Sequence, residues 1–265
     1  MNKSSEDWKK CESMLRMLVK VQHFSENHEK NLVNSARKGE VVTIYSKLGP
    51  IILSSMDLIT DLKVALDIFQ SNDYLTNFVD ACVVDIGAHK GYFGMYAFLN
   101  GASSVVSYEP ENENYKVLSQ VNQHFLQNET RIWKIFNKGV IDQEKKQSFY
   151  VYDQSWSHSI LKRQDKTLVS KIKVQMTSME NVINEIISLN RQEKKRVIVK
   201  IDAEGSECQI VFNTPSCCWE HIDELFIEYH RYALCTRDAL AEQVMQLGFQ
   251  LHNINHNLFH FIRVS

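Results

Sequence analysis

Val83 to Pro110 reads VVDIGAHKGYFGMYAFLNGASSVVSYEP, and the rest of this 265-residue chain is organised around it. Val83, Val84, Asp85 and Ile86 make a short buried strand, Gly87-Ala88-His89-Lys90-Gly91 a glycine-punctuated turn, and Tyr92 to Leu99 the helix that follows. Glycine at such a turn lets the backbone fold tightly and approach a ligand closely. A second strand, Val105 to Tyr108, leads to Glu109. An acid about 20 residues past a glycine turn, at the end of the second strand, is where a nucleoside-binding α/β unit grips ribose hydroxyls.

Gly87, Gly91 and Gly94 are spaced G-x-x-x-G-x-x-G, unlike the G-x-G-x-x-G of a dinucleotide site. Asp85 adds a carboxylate at the tip of the strand, which repels a pyrophosphate but not a ligand carrying an ammonium and a sulfonium. The stretch therefore points to S-adenosylmethionine and disfavours a nicotinamide cofactor.

Composition narrows the class further. With 44% apolar and 23% charged residues the chain is a globular, soluble protein, long enough for one domain with an extension. Thirty basic and 32 acidic residues give a net charge of -2, which disfavours nucleic acid as the main partner. Six cysteines show neither C-x-x-C nor zinc spacing and are expected to be reduced and mostly buried. No apolar run reaches the roughly 18 residues of a membrane span, and the charged amino terminus does not fit a secretory signal, so the expected location is the cytoplasm.

Residues 1–78 read as a helical and hairpin extension. Glu6 to Phe24 forms a helix with a broad apolar stripe, including Trp8, Cys11, Leu15 and Leu18, expected to dock on its own domain in preference to a membrane or a dimer partner; a lid over the substrate is the other role open to it. Val41 to Tyr45 and Ile51 to Leu53 flank Gly49-Pro50 as a hairpin, and Asp57 to Phe69 has helical spacing. From residue 79 strands and helices alternate, predicting a doubly wound, mostly parallel sheet with an antiparallel strand contributed at its edge by a terminal hairpin, Phe249 to Ile254 with Leu258 to Val264. Helices are expected over Glu111 to Leu126, Ser178 to Leu189 and Arg237 to Leu247, and further strands over Arg131 to Phe136, Arg196 to Asp202 and Glu224 to His230. Residues 147–177 break the alternation with short strands, an insertion of the kind that carries substrate at the ligand edge of an α/β sheet.

A second charged constellation, Lys200-Ile201-Asp202-Ala203-Glu204-Gly205-Ser206-Glu207, follows a β-branched run. Lys200 and Asp202 share a strand face, and a lysine in so apolar a strand must pair, shift its pKa or act. Glu228 and His230 share a face at the end of their own strand; with Asp202 they could hold a divalent cation, or His230 could act alone as a base. Asn137, with Lys138, ends the third strand where a polar side chain can reach an adenine. His158 is a weaker catalytic candidate in the insertion, and His252, His256 and His260 are expected to be solvated hairpin residues.

Taken in order, VVDIGAHKGYFG, YEPENENY, VKIDAEGSE and IEYH resemble the FkbM-type S-adenosylmethionine-dependent methyltransferases from Val83 to Gly248. The resemblance implies a class I methyltransferase fold and, for many members, O-methylation of a sugar or natural product. It places Asp85, Gly87, Ala88 and Gly91 around the methionine end of the cofactor, with His89, Tyr92 and Phe93 in the same turn and helix start, and Glu109, beside Pro110, on the ribose. His89 departs from the asparagine usual in the family. Lys200, Asp202, Glu204, Gly205 and Glu207 match the second signature.

The expected reaction is methyl transfer to a hydroxyl of a small-molecule acceptor, with His230, helped by Asp202 or Glu228, as first choice of base and Lys200 as second. The alternatives are N-methylation of a peptide or amine, which needs no strong base, and a cofactor-binding module without turnover. A homodimer is compatible with the sequence.

Overall fold

The computed structural model describes residues 6, 9–11, 13, 14, 17, 42–46, 49–53, 58–71, 73–126, 131–190 and 194–264. The chain divides into two compact units, residues 1–76 and 77–265.

In the first unit, β1 (Val42–Ser46) pairs antiparallel with β2 (Gly49–Leu53). Gly49 and Pro50 are not the turn of this hairpin, as their dipeptide type suggests, but the first two residues of β2, opposite Ser46 and Tyr45. An initial strand position accommodates a proline. Helix α1 (Leu58–Gln70) buries Leu58, Leu62, Ala65 and Ile68, one face of a 3.6-residue period. Of the amino-terminal helix expected over Glu6 to Phe24, residues 6, 9–11, 13, 14 and 17 are helical, with Cys11 and Met14 buried. Trp8, Leu15, Leu18 and the remainder lie outside the described residues. Gln70 Nε2 donates to the Met17 carbonyl at 2.6 Å, joining this segment to α1.

The second unit opens with β3 (Cys82–Ile86), α2 (Tyr92–Leu99), β4 (Ser104–Tyr108), α3 (Asn112–Phe125) and β5 (Ile132–Phe136). Next come β6 (Gly139–Ile141), β7 (Lys145–Tyr152), β8 (Leu168–Ser178) and α4 (Met179–Leu189). The chain ends with β9 (Val197–Ile201), α5 (Glu207–Asn213), α6 (Ser216–Trp219), β10 (Glu224–Glu228), α7 (Arg237–Gln246), β11 (Phe249–Asn255) and β12 (Leu258–Arg263).

The central sheet has the order β11-β12-β10-β9-β3-β4-β5. All neighbours from β10 to β5 run parallel, while β12 runs antiparallel to both β10 and β11. Strands β3, β4 and β9 are buried at every position, as β-branched runs in the middle of a parallel sheet require. From β3 the chain builds outward through β4 to β5, then crosses back to place β9 on the other flank of β3. The carboxyl end of β3 is therefore a topological switch point, where an open α/β sheet binds its ligand.

Strands β6, β8 and β7 form a separate three-stranded sheet over a small core of Ile141, Phe149, Val174 and Met176. The Ser155 to Ile160 part of the insertion contributes only the isolated bridge Tyr150–Ser159. Ser178 caps α4 as expected, accepting from the Asn181 N–H. Among the described residues no helix is long and apolar enough to cross a membrane.

Candidate functional site

The turn after β3 is held by its neighbour strand: the N–H groups of Gly87 and Ala88 both donate to the Tyr108 carbonyl at 3.0 Å. Gly87 adopts φ +78°, and a Cβ there would lie 1.7 Å from the Asp202 carbonyl oxygen. Only glycine allows the two strand tips to meet this closely. His89 is also left-handed, at φ +51°, a conformation histidine and asparagine tolerate better than most side chains. Its ring Nε2 lies 3.0 Å from Ser155 Oγ, so the departure from asparagine ties the turn to the β7–β8 insertion. Burial holds the His89 pKa well below the usual histidine value, and the ring is neutral.

Glu109 stands at the tip of β4, with Oε2 accepting from His89 N–H and Oε1 from Glu111 N–H, both at 2.8 Å. Each oxygen keeps lone-pair capacity for a further donor. Burial pushes its pKa up to about 8, against the pull of those two N–H groups. Tyr92 and Phe93 are buried at the start of α2. Asn137 Nδ2 donates to the carbonyls of Glu109 and Pro110, at 3.0 and 3.3 Å, so its donors brace the end of β4. Lys138 turns away to pair with Glu144 at 3.6 Å.

Asp85 is fully buried, and its Oδ1 meets Lys200 Nζ at 3.1 Å. Its Oδ2 has no hydrogen-bond partner. Burial raises the Asp85 pKa and Lys200 opposes the rise. Lys200 also reaches the Gly87 carbonyl at 3.3 Å and Asp202 Oδ2 at 3.4 Å. A lysine so engaged ties the two strands together.

The loop after β9 doubles back through Glu204 and Gly205, at φ +48° and +96°. Glu207, fully buried at the start of α5, fastens it: its Oε1 accepts from Ala203 N–H at 2.9 Å and Gly205 N–H at 3.1 Å, and lies 3.0 Å from His230 Nδ1. His230 Nε2 is left facing Glu204 Oε1 at 3.5 Å and Asp202 Oδ1 at 3.8 Å. Burial disfavours the charged ring, but Glu207 and Glu204 outweigh it and hold the His230 pKa well above the usual value. His230 thus favours its protonated form. Glu228 is pushed up to about 8, first by the Asp202 charge and then by burial.

The atoms of Asp202, Glu204 and His230 lie within 4.8 Å of one another. Glu204 stands in this group in place of the expected Glu228. Two further residues, Arg163 and Tyr232, complete it: Arg163 Nη1 reaches Glu204 Oε2 at 3.2 Å and Tyr232 Oη at 2.9 Å, its guanidinium stacks 4.1 Å over the Tyr232 ring, and the Tyr232 hydroxyl donates to Glu204 Oε2. Neither carried a sequence signal beyond its place in the insertion or just past His230. His158, by contrast, accepts the Tyr152 N–H through Nδ1 at 3.1 Å, and burial brings its pKa down to about 4. It secures the insertion. His260 is buried against Glu224 at 2.5 Å and is not solvated as expected.

The expectation of reduced cysteines is overturned at one pair. Cys208 in α5 and Cys235 are joined in a disulfide, linking the segment that carries Glu207 to the one that carries His230 and Tyr232. Cys11, Cys82 and Cys218 are buried thiols and Cys217 is exposed.

A switch-point turn, an acid at the tip of the next strand and a polar cluster at the tips of the two strands beyond define a class I methyltransferase domain. A family model of the methyltransferase FkbM domain matches residues 85–248. The chain belongs to that family of S-adenosylmethionine-dependent methyltransferases. Among solved structures it is similar to a methyltransferase FkbM from Methylobacillus flagellatus KT, at 14% identity and TM-score 0.46 over 97% of this chain and 60% of that one. It is also similar to a putative RNA methyltransferase from Pyrococcus horikoshii, at 13% identity and TM-score 0.41 over 77% and 86% of the two chains. A magnesium protoporphyrin IX methyltransferase from Synechocystis PCC 6803 with bound S-adenosylmethionine matches at 11% identity and TM-score 0.37 over 100% of each chain. The chain thus spans 60% of the length of the Methylobacillus protein. No curated protein matches it.

Proposed function

We propose that this protein methylates a hydroxyl oxygen of a small, hydroxyl-rich acceptor, a sugar or a natural-product alcohol. The observation that supports this reading is the close approach of Gly87 to the Asp202 carbonyl, by which the turn after β3 lies beside the Asp202–Glu204–His230 cluster.

The residues fit the cofactor. Glu109 offers two carboxylate oxygens with spare acceptor capacity at the tip of β4, the place of a ribose diol in this architecture. When bound, S-adenosylmethionine supplies a methyl group already activated by a sulfonium. The chain's task is then to hold the acceptor oxygen in line and to remove its proton. Positioning of this kind is worth up to about 7 to 11 kcal/mol.

Asp202 is the more exposed carboxylate of the cluster, fixed through Oδ2 by Lys200, and its Oδ1, 3.8 Å from His230 Nε2, is the oxygen proposed to receive the hydroxyl proton. His230, held charged, orients the hydroxyl and favours the developing alkoxide. Glu204, Arg163 and Tyr232 add donors and acceptors suited to a polyol. A neutral amine attacks through its lone pair and loses its proton only afterwards, so it needs no base at the point of attack; the carboxylate there favours oxygen.

Incubation with S-adenosylmethionine and a panel of sugars and alcohols, with product methyl groups located by NMR, tests this reading. A methyl ether whose formation falls about 100-fold or more in Asp202→Asn is expected. Methylation confined to amines, with Asp202→Asn unaffected, would contradict it.

A further inference from the structure

We propose that Asp202 Oδ1, Glu204 Oε1 and His230 Nε2 form a binding site for a divalent cation of the oxygen-preferring kind, Mg2+ or Mn2+. The inference deepens and rests on the reading above: the cation would replace the proton on His230 Nε2 as the positive charge beside the acceptor oxygen, Asp202 Oδ1 would hold it, and the hydroxyl, acidified by the ion, would give its proton to solvent.

Three observations carry it. The first is how each side chain is divided between a pinned atom and a presented one. Asp202 gives Oδ2 to Lys200 at 3.4 Å, Glu204 gives Oε2 to Arg163 at 3.2 Å and to the Tyr232 hydroxyl, and His230 gives Nδ1 to Glu207 at 3.0 Å. The three remaining atoms face one another. A carboxylate behind the far nitrogen of an imidazole, fixing its tautomer and aim, is the usual support of a metal-binding histidine.

The second is spacing. Ligands at about 2.0 to 2.2 Å around an octahedral ion stand about 3 Å apart when adjacent and about 4.3 Å apart when opposite. His230 Nε2 is 3.5 Å from Glu204 Oε1 and 3.8 Å from Asp202 Oδ1, and all three residues offer atoms within 4.8 Å of one another. These gaps are long for hydrogen bonds and suit a shared ion.

The third is the buried carboxylate behind the histidine. Glu207 is fully buried, its Oε1 backs His230 Nδ1 at 3.0 Å and its Oε2 has no hydrogen-bond partner, so positive charge on the imidazole is needed there. An ion on Nε2 would take the place of the ring proton and keep that charge. Two carboxylate oxygens and one imidazole, with no thiolate, select Mg2+ or Mn2+ over softer ions, and three protein ligands leave positions for solvent and an alcohol.

The test uses the intact chain with Mn2+ alone, with neither cofactor nor acceptor. Electron paramagnetic resonance should show the free-ion signal lost at one equivalent per chain, and Mn2+ should broaden the imidazole NMR signals of His230 far more than those of His260 or His158. Asp202→Asn and Glu204→Gln should each weaken binding about 10-fold or more. The NMR readout needs no variant, so a misfolded substitution does not decide the matter. Mn2+ that stays free at millimolar protein, or broadening that spares His230, overturns the site. Methyl ether formation undiminished in chelator with no Mn2+ bound would sink the cation and leave oxygen methylation standing; bound Mn2+ with only amines methylated would do the reverse.

Discussion

The carbonyl oxygen of Asp202 occupies the space a side chain on Gly87 would need, 1.7 Å from its Cβ position. The turn after β3 and the loop after β9 are therefore one structural unit, and neither can move independently of the other. Gly87→Ala must either shift Asp202 or abandon φ +78°. It is expected to cost more than about 3 kcal/mol and to abolish cofactor binding, read by chemical denaturation and calorimetry. A stable variant that binds S-adenosylmethionine normally would show that the two loops are separable.

Lys200 lies directly beside Asp85 in the β3–β9 register and ties the buried carboxylate to Asp202. Lys200→Met leaves Asp85 buried and unpaired, a change expected to destabilise the fold by about 3 to 5 kcal/mol. Replacing Asp85 with Asn in the same chain should recover much of that loss. A catalytic lysine would behave differently, with the single variant keeping its stability and losing only activity.

With Glu109 proposed to hold the ribose, its pKa, raised from 4.5 to about 8, is expected to make cofactor binding pH-dependent. A carboxyl whose folded pKa is raised contributes its stabilisation below pH 4.5 and loses it as pH climbs through 8. Burial is the main cause; Glu111 and Asp85 add to it, and the N–H groups of Glu111 and His89 oppose it. Ribose hydroxyls donate to the ionised form, so affinity should rise by up to about 10-fold per pH unit from about pH 6 and level off above about 8. Glu109→Gln should bind more weakly and without this slope. Calorimetry across that range checks it; a wild-type slope of opposite sign contradicts the assignment.

The Cys208–Cys235 disulfide closes a loop with a sequence separation of 27 residues. Chain-entropy arguments give such a link about 3.5 kcal/mol. Cys208→Ser is expected to lower the melting temperature by several degrees, and mild dithiol treatment of the wild type should reproduce the shift while exposing two additional thiols. No change in either quantity would mean that the bond is not formed.

The unit from β3 to β4 was legible because its signals are contiguous: β-branched runs, turn glycines and an acid at the strand tip all lie within one stretch. The insertion was legible by its polar breaks. What could not be read depends on pairing between distant segments. Alternation put Lys200 and Asp202 on one face, but only the register of β3 with β9 sets Asp85 beside Lys200. Alternation also put Glu228 with His230, yet β10 ends at Glu228, so His230 leaves the pleat and meets Glu204 and Glu207 instead. Glu204 reaches it through a left-handed backbone that no residue-type rule foretells for glutamate. Cysteines 27 apart in sequence gave no spacing cue to their bond.

S-adenosylmethionine is proposed to lie across the tips of β3 and β4. Hydrogen–deuterium exchange of the intact chain with and without S-adenosylmethionine tests it most directly. The account predicts one ligand per chain, with new protection concentrated at Gly87 to Gly91 and Glu109 to Glu111. Protection absent from both segments at saturating ligand, or confined to the β7–β8 sheet, would contradict it.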